Sequence, residues 1–104
     1  MSWDDRYRLT PRALADLDDI WRFSAETWSI EQADRYLDDL VRVFEMIAAM
    51  PALARERRDF SPPVRIHVYQ SHLIVYIETD GRIHILRLLG ERQDWLSILK
   101  AADL

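Results

Sequence analysis

Two helix-start signals in the first half of the chain constrain its fold more than any other feature. Thr10 and Pro11 form the first, an N-cap residue followed by a first-turn proline. Ser29 and Gln32 form the second, with the spacing of a capping box, and Pro51 ends the stretch that follows. After each signal, apolar residues recur every three or four positions, as in a helix that buries one face. Because only a residue or two separates the predicted helices, we expect an antiparallel hairpin.

The pattern changes after Pro51 from helical spacing to strands. The elements predicted there are a charged loop and three strands, at 52–63, 64–69, 72–78 and 83–89. Asp80-Gly81 is a strong hairpin signal between the last two strands. Short elements are also predicted at the two ends, an edge strand at 5–9 and one or two helical turns at 94–100. The order β-α-α-β-β-β predicts a single α+β domain over residues 1–104, with the helical hairpin packed on an antiparallel sheet.

The composition excludes several kinds of chemistry. None of the 104 residues is cysteine, so disulfides, thiolate metal sites and a cysteine nucleophile are excluded. The two glycines form no phosphate-binding loop, and His67, His72 and His84 lack the spacing of a metal site, so we expect no cofactor and no metal. No signal peptide or apolar run of transmembrane length is visible, so we expect a cytoplasmic protein without a membrane partner.

Arginine is the chemically distinctive residue of the chain. Thirteen of the 14 basic residues are arginines, and the planar guanidinium suits bidentate contact with carboxylates or phosphates. The net charge of −4 argues against a general nucleic-acid binder. Arg55, Arg57 and Arg58 in the loop are either solvated charges or part of a common basic surface. Arg87 lies among aliphatic residues within a predicted strand, where its charge needs water, a carboxylate or a binding partner.

Four segments of the sequence resemble a known protein superfamily. They are YRLTPRALADLDDIW, WSIEQADRYLDDL, VRIHVYQSHLIVYI and IHILRLLGERQDW. Together with the element order, they resemble the RelE/ParE superfamily of bacterial toxins over nearly the whole chain, and the first and last segments are most similar to the ParE branch. The resemblance implies a growth-inhibiting toxin of a type II toxin–antitoxin system. Such a toxin binds a ParD-like antitoxin and poisons DNA gyrase through protein–protein contact, without catalysis of its own.

A RelE-like ribosome-dependent mRNA endonuclease is the alternative function. Toxins of that branch use basic residues around the sheet, and often a C-terminal tyrosine or a histidine, for proton transfer and phosphate stabilisation. Ile98 stands where that tyrosine is expected, and arginine is a poor general base because it stays protonated. Glu56 and His84 are the residues left for that task. An inert or antitoxin-like paralogue is a further alternative, for which the sequence has no marker.

The residue types and the resemblance together suggest two binding surfaces. Arginine and tryptophan often carry binding energy, and the expected target contacts are Arg58, Arg65, Arg87, Arg92 and Trp95. The alternative for Trp95 is that its ring covers the open face of the sheet. The expected antitoxin contacts are bulky helix residues that so small a core cannot bury together: Leu14, Trp21, Trp28 and Tyr36. We expect no sequence-specific nucleic-acid partner.

Overall fold

The computed structural model describes residues 6–101 of the chain. Within this range the chain forms five β-strands, three α-helices and one short 3-10 helix. In chain order the elements are β1 (Tyr7–Leu9), α1 (Pro11–Thr27), α2 (Ile30–Ala49), the 3-10 helix (Pro51–Leu53), β2 (Glu56–Arg57), β3 (Val64–Tyr69), β4 (His72–Thr79), β5 (Arg82–Gly90) and α3 (Trp95–Ala101).

The predicted α+β architecture is confirmed, with α1 and α2 packed on one side of a five-stranded sheet. The strand order is β1-β5-β4-β3-β2. Strands β2 to β5 pair antiparallel, whereas β1 pairs in parallel with β5. The sheet is therefore mixed, and the expectation of an antiparallel sheet holds for its last four strands alone. A parallel pair needs a long crossover connection, and the helical hairpin together with strands β2 to β4 supplies it.

The helix starts form as the sequence predicts. The Thr10 hydroxyl accepts a hydrogen bond from the Ala13 amide at 3.1 Å, and the Ser29 hydroxyl accepts one from the Gln32 amide at 3.0 Å. Thr10 has a second function that the helix pattern does not reveal. Its hydroxyl donates to the Leu86 carbonyl at 2.9 Å, so the cap of α1 also ties this helix to β5.

The last helix and the hairpin turns agree with the sequence, and the loop differs in part. Helix α3 forms over the predicted range, and Asp80 and Gly81 both take a positive φ, 55° and 74°, as a type I′ turn requires. The predicted loop 52–63 contains the short strand β2, which pairs with the start of β3. The predicted strand 5–9 is present at Tyr7–Leu9, and its first residue lies outside the described range.

The sheet separates two apolar clusters. The larger one lies under the helical hairpin and includes Ala13, Ile20, Leu40, Phe44, Ile47, Ile74, Tyr76, Ile83, Ile85 and Leu88. The smaller one lies on the opposite side of the sheet, under α3, and consists of Phe60, Val64, Val75, Leu86, Leu89 and Leu99. Both sides of the central strands are therefore buried. Within residues 6–101, no helix combines the length and the apolar character that crossing a membrane requires.

Candidate functional site

Arg87, the arginine in the middle of β5, has its partner within the chain. Its Nε and Nη2 donate to the two carboxylate oxygens of Asp16 on α1, at 2.8 Å and 3.1 Å. Asp16 also accepts the Leu88 amide at 2.9 Å. The two side chains are only 12% and 14% exposed, so this is a buried, bidentate ion pair that fixes α1 on β5. In this arrangement the guanidinium is directed at α1 and not at a surface.

An irregularity in β5 lets the Arg87 side chain leave the regular alternation of the strand. Val75 of β4 pairs with Arg87, whereas the next residue, Tyr76, pairs with Ile85. Leu86 is therefore skipped, as in a β-bulge, which changes the direction of neighbouring side chains. The expectation that Arg87 needs a carboxylate, water or a partner is met by the carboxylate.

The other arginines among the expected target contacts differ in what they bind within the chain. Arg65 donates to the Ala54 carbonyl at 2.6 Å and thus holds the segment that follows the 3-10 helix. Arg58 is largely exposed and pairs with Glu56 at 3.1 Å. Arg92, in the turn after β5, is exposed and makes no ion pair within residues 6–101. Of the four arginines, only Arg58 and Arg92 present their guanidinium groups to solvent.

Trp95 packs on the side of the sheet opposite the helical hairpin, where it contacts the smaller apolar cluster. The guanidinium of Arg57 lies over two rings, 5.2 Å from the centre of Phe60 and 5.7 Å from that of Trp95. Arg57 also pairs with Asp59 at 2.8 Å, and this hydrogen bond lowers the pKa of the Asp59 carboxyl. Trp95 is thus half-buried cover for this side of the sheet, and Arg57 is a residue that the sequence did not distinguish from its neighbours.

A cleft of about 460 Å³ opens between α1 and the ends of β4 and β5. Its floor is apolar and its rim carries both signs of charge. The lining residues are Asp16, Asp19, Ile20, Phe23, Ser24, Ser71, His72, Leu88, Gly90, Glu91, Arg92 and Gln93. Arg92 is therefore at the edge of a concave surface whose floor can accept an apolar group.

Tyr36 ties α2 to the start of β4. Its hydroxyl lies 2.6 Å from His72 Nδ1, and its ring packs against those of Tyr69 and His72. Burial raises the pKa of Tyr36 to about 12, and burial lowers the pKa of His72. At neutral pH the phenol is therefore protonated and donates to a neutral imidazole. This geometry assigns Tyr36 an intramolecular partner, and its ring is half-buried.

Several large apolar side chains of the helical hairpin are exposed. Among the expected antitoxin contacts, Leu14 is 56% and Trp28 is 69% exposed, whereas Trp21 is half-buried and donates its indole N–H to Asp34 at 2.8 Å. Four exposed residues of the two helices were not in the predicted set: Phe23 at 68% and Ile30 at 60%, with Val41 and Met46 less exposed. Their exposure could not be inferred from spacing, because the apolar positions of both helices exceed what one narrow buried face holds.

The ribonuclease alternative depends on a general base beside an exposed arginine. Within residues 6–101, no group of three histidine, aspartate or glutamate side chains is arranged to hold a metal ion. Glu56 is bound to Arg58, and His84 lies in the first half of β5, whereas Arg92 follows the end of that strand. Arg92 shares its cleft with His72 and Asp16, but each of these is engaged within the chain, His72 by Tyr36 and Asp16 by Arg87. The arrangement is suited to binding, through exposed apolar groups on the helices and exposed guanidinium groups, and Phe23 and Arg92 line the same cleft.

Comparison with known proteins gives a consistent result. The family described as "ParE toxin of type II toxin-antitoxin system, parDE" matches residues 7–95. Toxin ParE1 of Caulobacter vibrioides is 39% identical over 85 residues, which cover 82% of this chain and 88% of that protein. Toxin ParE1 of Mycobacterium tuberculosis is 34% identical over 90 residues, covering 86% and 92%.

A solved structure shares the fold. It is titled "Chromosomal ParDE TA system from P. aeruginosa", and it superimposes with a TM-score of 0.70 over 81% of this chain and 92% of that one, at 22% sequence identity. The family match and the two relatives decide the classification, and the solved structure agrees with the topology. The chain belongs to the family of ParE toxins of type II toxin–antitoxin systems.

Proposed function

We propose that this chain inhibits growth by binding DNA gyrase in the cytoplasm and trapping it on cleaved DNA, and that a ParD-like antitoxin neutralises it. The toxin acts by protein–protein contact and performs no chemistry of its own. The observation that carries the proposal is the family match over residues 7–95, joined to a surface with exposed apolar and guanidinium groups.

The helical hairpin supports the antitoxin part of the proposal. Leu14, Phe23, Trp28 and Ile30 expose more than half of their surface. Monomeric proteins seldom expose such groups in numbers unless a partner covers them. We therefore assign Phe23, Trp28 and Ile30, which lie near the turn between α1 and α2, to the antitoxin surface, with Trp21 and Tyr36 at its margin because both are held by intramolecular bonds. Leu14 projects about 180° from Phe23 around α1, so the antitoxin reaches it by passing around that helix.

The exposed guanidinium groups support the target part. Arg92 borders the cleft between α1 and β5 and makes no ion pair within residues 6–101, although acidic residues also line that cleft. Arg58 is exposed on the other side of the molecule and is held only by a surface ion pair, which contributes little energy. We assign Arg92 to the target contact first and Arg58 second. The fold depends on contacts of Arg65, Arg87 and Trp95. We therefore expect substitution of these residues to weaken target binding only indirectly, by changing the structure.

The antitoxin surface is tested by titration calorimetry with the proposed ParD-like antitoxin. Trp28→Ser removes a large exposed anchor and is expected to weaken binding at least 30-fold, as about 2 kcal/mol at a hot spot implies. Met46→Ser is the matched control, because Met46 is exposed and projects about 160° around α2 from Ile30. Equal affinities for the Trp28 and Met46 variants would remove the helical hairpin from the antitoxin interface.

The target is tested by a plasmid-cleavage assay with purified gyrase, run beside a digestion of RNA. Linear DNA that accumulates only when this protein is added, with intact RNA, is the expected result. Cut RNA with unaffected DNA would contradict the proposal and establish a ribonuclease. If neither the DNA nor the RNA changes and the antitoxin still binds, the proposed antitoxin is correct and gyrase as the proposed target is wrong.

A further inference from the structure

Three basic side chains share one face of the sheet, on the side opposite the helical hairpin. Arg8 of β1 and His84 of β5 are direct partners in the parallel pair. Arg82 precedes His84 by two positions and therefore projects to the same face. The residues between and beside them, Ile83 and Ile85, are buried in the cluster under α1 and α2. Arg8, Arg82 and His84 thus form a basic patch at the β1 end of the sheet.

No acidic side chain among residues 6–101 binds the basic patch. Arg8 and Arg82 are exposed and His84 is half-buried, and none of the three makes a side-chain hydrogen bond or an ion pair with residues 6–101. This separates them from Arg57 and Arg87, whose guanidinium groups are each engaged by a carboxylate. The patch is a local concentration of positive charge on a chain whose net charge is −4.

The composition of the basic patch favours one class of partner. Its cross-strand neighbours on β4 are Ile77, which is half-buried, and Thr79. These strand neighbours offer no exposed aromatic or large apolar anchor, which protein–protein hot spots and single-stranded nucleic acid both use. Contacts to a phosphate backbone need only arginine or another donor, and interfaces with DNA are much more positively charged than those with proteins.

We propose that the basic patch contacts the phosphate backbone of double-stranded DNA without reading its sequence. The contact is weak in isolation, because two arginines neutralise few phosphates and the whole chain is negatively charged. It becomes effective when a DNA-bound partner holds the protein beside a duplex. This last step rests on the proposed function, whereas the DNA contact itself does not.

The experiment is fluorescence anisotropy of a labelled 20-base-pair duplex titrated with the full chain at several low salt concentrations. Two phosphate contacts predict that log K falls with log salt with a slope of about −1.8. Arg8→Ala and Arg82→Ala should each reduce the magnitude of this slope by about 0.9 and weaken binding to unrelated duplexes equally. Arg35→Ala is the matched control, since Arg35 is an exposed arginine on α2 that makes no bond within residues 6–101. Thermal unfolding of each variant confirms that the fold is intact.

The outcomes separate clearly. A slope that falls in the Arg8 and Arg82 variants and stays constant in the Arg35 variant supports the proposal. Binding that all three variants weaken equally would overturn it, because the contact would then be diffuse. The absence of measurable binding at about 20 mM salt would also overturn it, because two phosphate contacts bind most strongly at low salt. Capture of a polyglutamate peptide in preference to the duplex would assign the patch to an acidic protein partner instead.

Discussion

Six arginines of this toxin fall into two groups that the sequence does not separate. Arg57, Arg65 and Arg87 are anchored: each is held by a ring, a carbonyl or a carboxylate of another element. Arg8, Arg82 and Arg92 are open, because they are exposed and make no bond within residues 6–101. Anchored arginines support the fold and open arginines are available to a partner. Loss of the first group should therefore reduce stability, and loss of the second should reduce binding.

The buried ion pair should give the largest effect. Asp16→Ala leaves the Arg87 charge buried without its carboxylate, and we expect the free energy of unfolding to fall by about 3–5 kcal/mol in urea denaturation. Asp18→Ala is the control, since its ion pair with Arg22 is more than half exposed and should contribute less than about 1 kcal/mol. The double variant Asp16→Leu with Arg87→Met should be more stable than Asp16→Ala. Similar losses in Asp16→Ala and Asp18→Ala would show that Arg87 is not anchored.

Arg65 should give the next largest effect. Its hydrogen bond to the Ala54 carbonyl is made by a charged donor and is only partly exposed, so we expect Arg65→Ala to lose about 1–2 kcal/mol of unfolding free energy. The measurement is the urea midpoint, compared with that of Arg55→Ala, an exposed neighbour of Ala54. An Arg65 variant as stable as the Arg55 variant would move Arg65 into the open group.

Arg57 should give a smaller loss. Its stacking on Phe60 and Trp95 is partly exposed, and we expect Arg57→Ala to lose about 1 kcal/mol. A double-mutant cycle with Trp95→Leu isolates the coupling of Arg57 and Trp95 from the loss of the Asp59 ion pair. Arg58→Ala, at an adjacent and largely exposed position, should be near neutral. Zero coupling in the cycle would mean that Trp95 covers the sheet without help from Arg57.

The smallest expected effect is on the pH dependence of stability, and it comes from His72. A side chain of another element, Tyr36, holds His72, as other elements hold the anchored arginines. Burial lowers the folded-state pKa of His72, so the unfolded chain takes up a proton first as the pH falls. The unfolding free energy should therefore be fully present above about pH 6.5 and decline below it. His72→Gln should make this decline shallower between pH 7 and 5.5, although His67, whose pKa burial also lowers, retains part of it. A slope unchanged by His72→Gln would contradict the buried, neutral imidazole.

The sequence was sufficient for the local structure and insufficient for the contacts between distant elements. Thr10, Ser29 and Asp80-Gly81 determine their own helix starts and turn through bonds within a few residues, so their signals are visible in the chain itself. The parallel pairing of β1 with β5 requires that β5, the last strand in the chain, lies between β4 and β1. That choice involves the whole sheet, and no local pattern encodes it.

The partner of Arg87 illustrates the same limit at the level of the site. By spacing alone, Asp16 would join Asp18 and Asp19 on the polar face of α1. Asp16 instead faces β5, 71 residues away in the sequence, because a bulge brings Arg87 out to meet it. The sequence indicated that Arg87 needs a partner, but only the packed structure identifies the partner as Asp16. Arg92, by contrast, keeps the exposure that its position after Gly90 suggests.

The most direct test of the division between anchored and open arginines is gyrase-mediated plasmid cleavage by Arg87→Ala and Arg92→Ala. Equal amounts of folded protein are compared, at a temperature where circular dichroism shows both variants folded. We predict that Arg92→Ala unfolds like the unmodified chain and traps at least tenfold less cleaved DNA, which corresponds to a loss of about 1.4 kcal/mol in binding. We predict that Arg87→Ala is less stable and still traps cleaved DNA. Full trapping by Arg92→Ala, with a folded but inactive Arg87→Ala, would contradict the division and return Arg87 to the target surface.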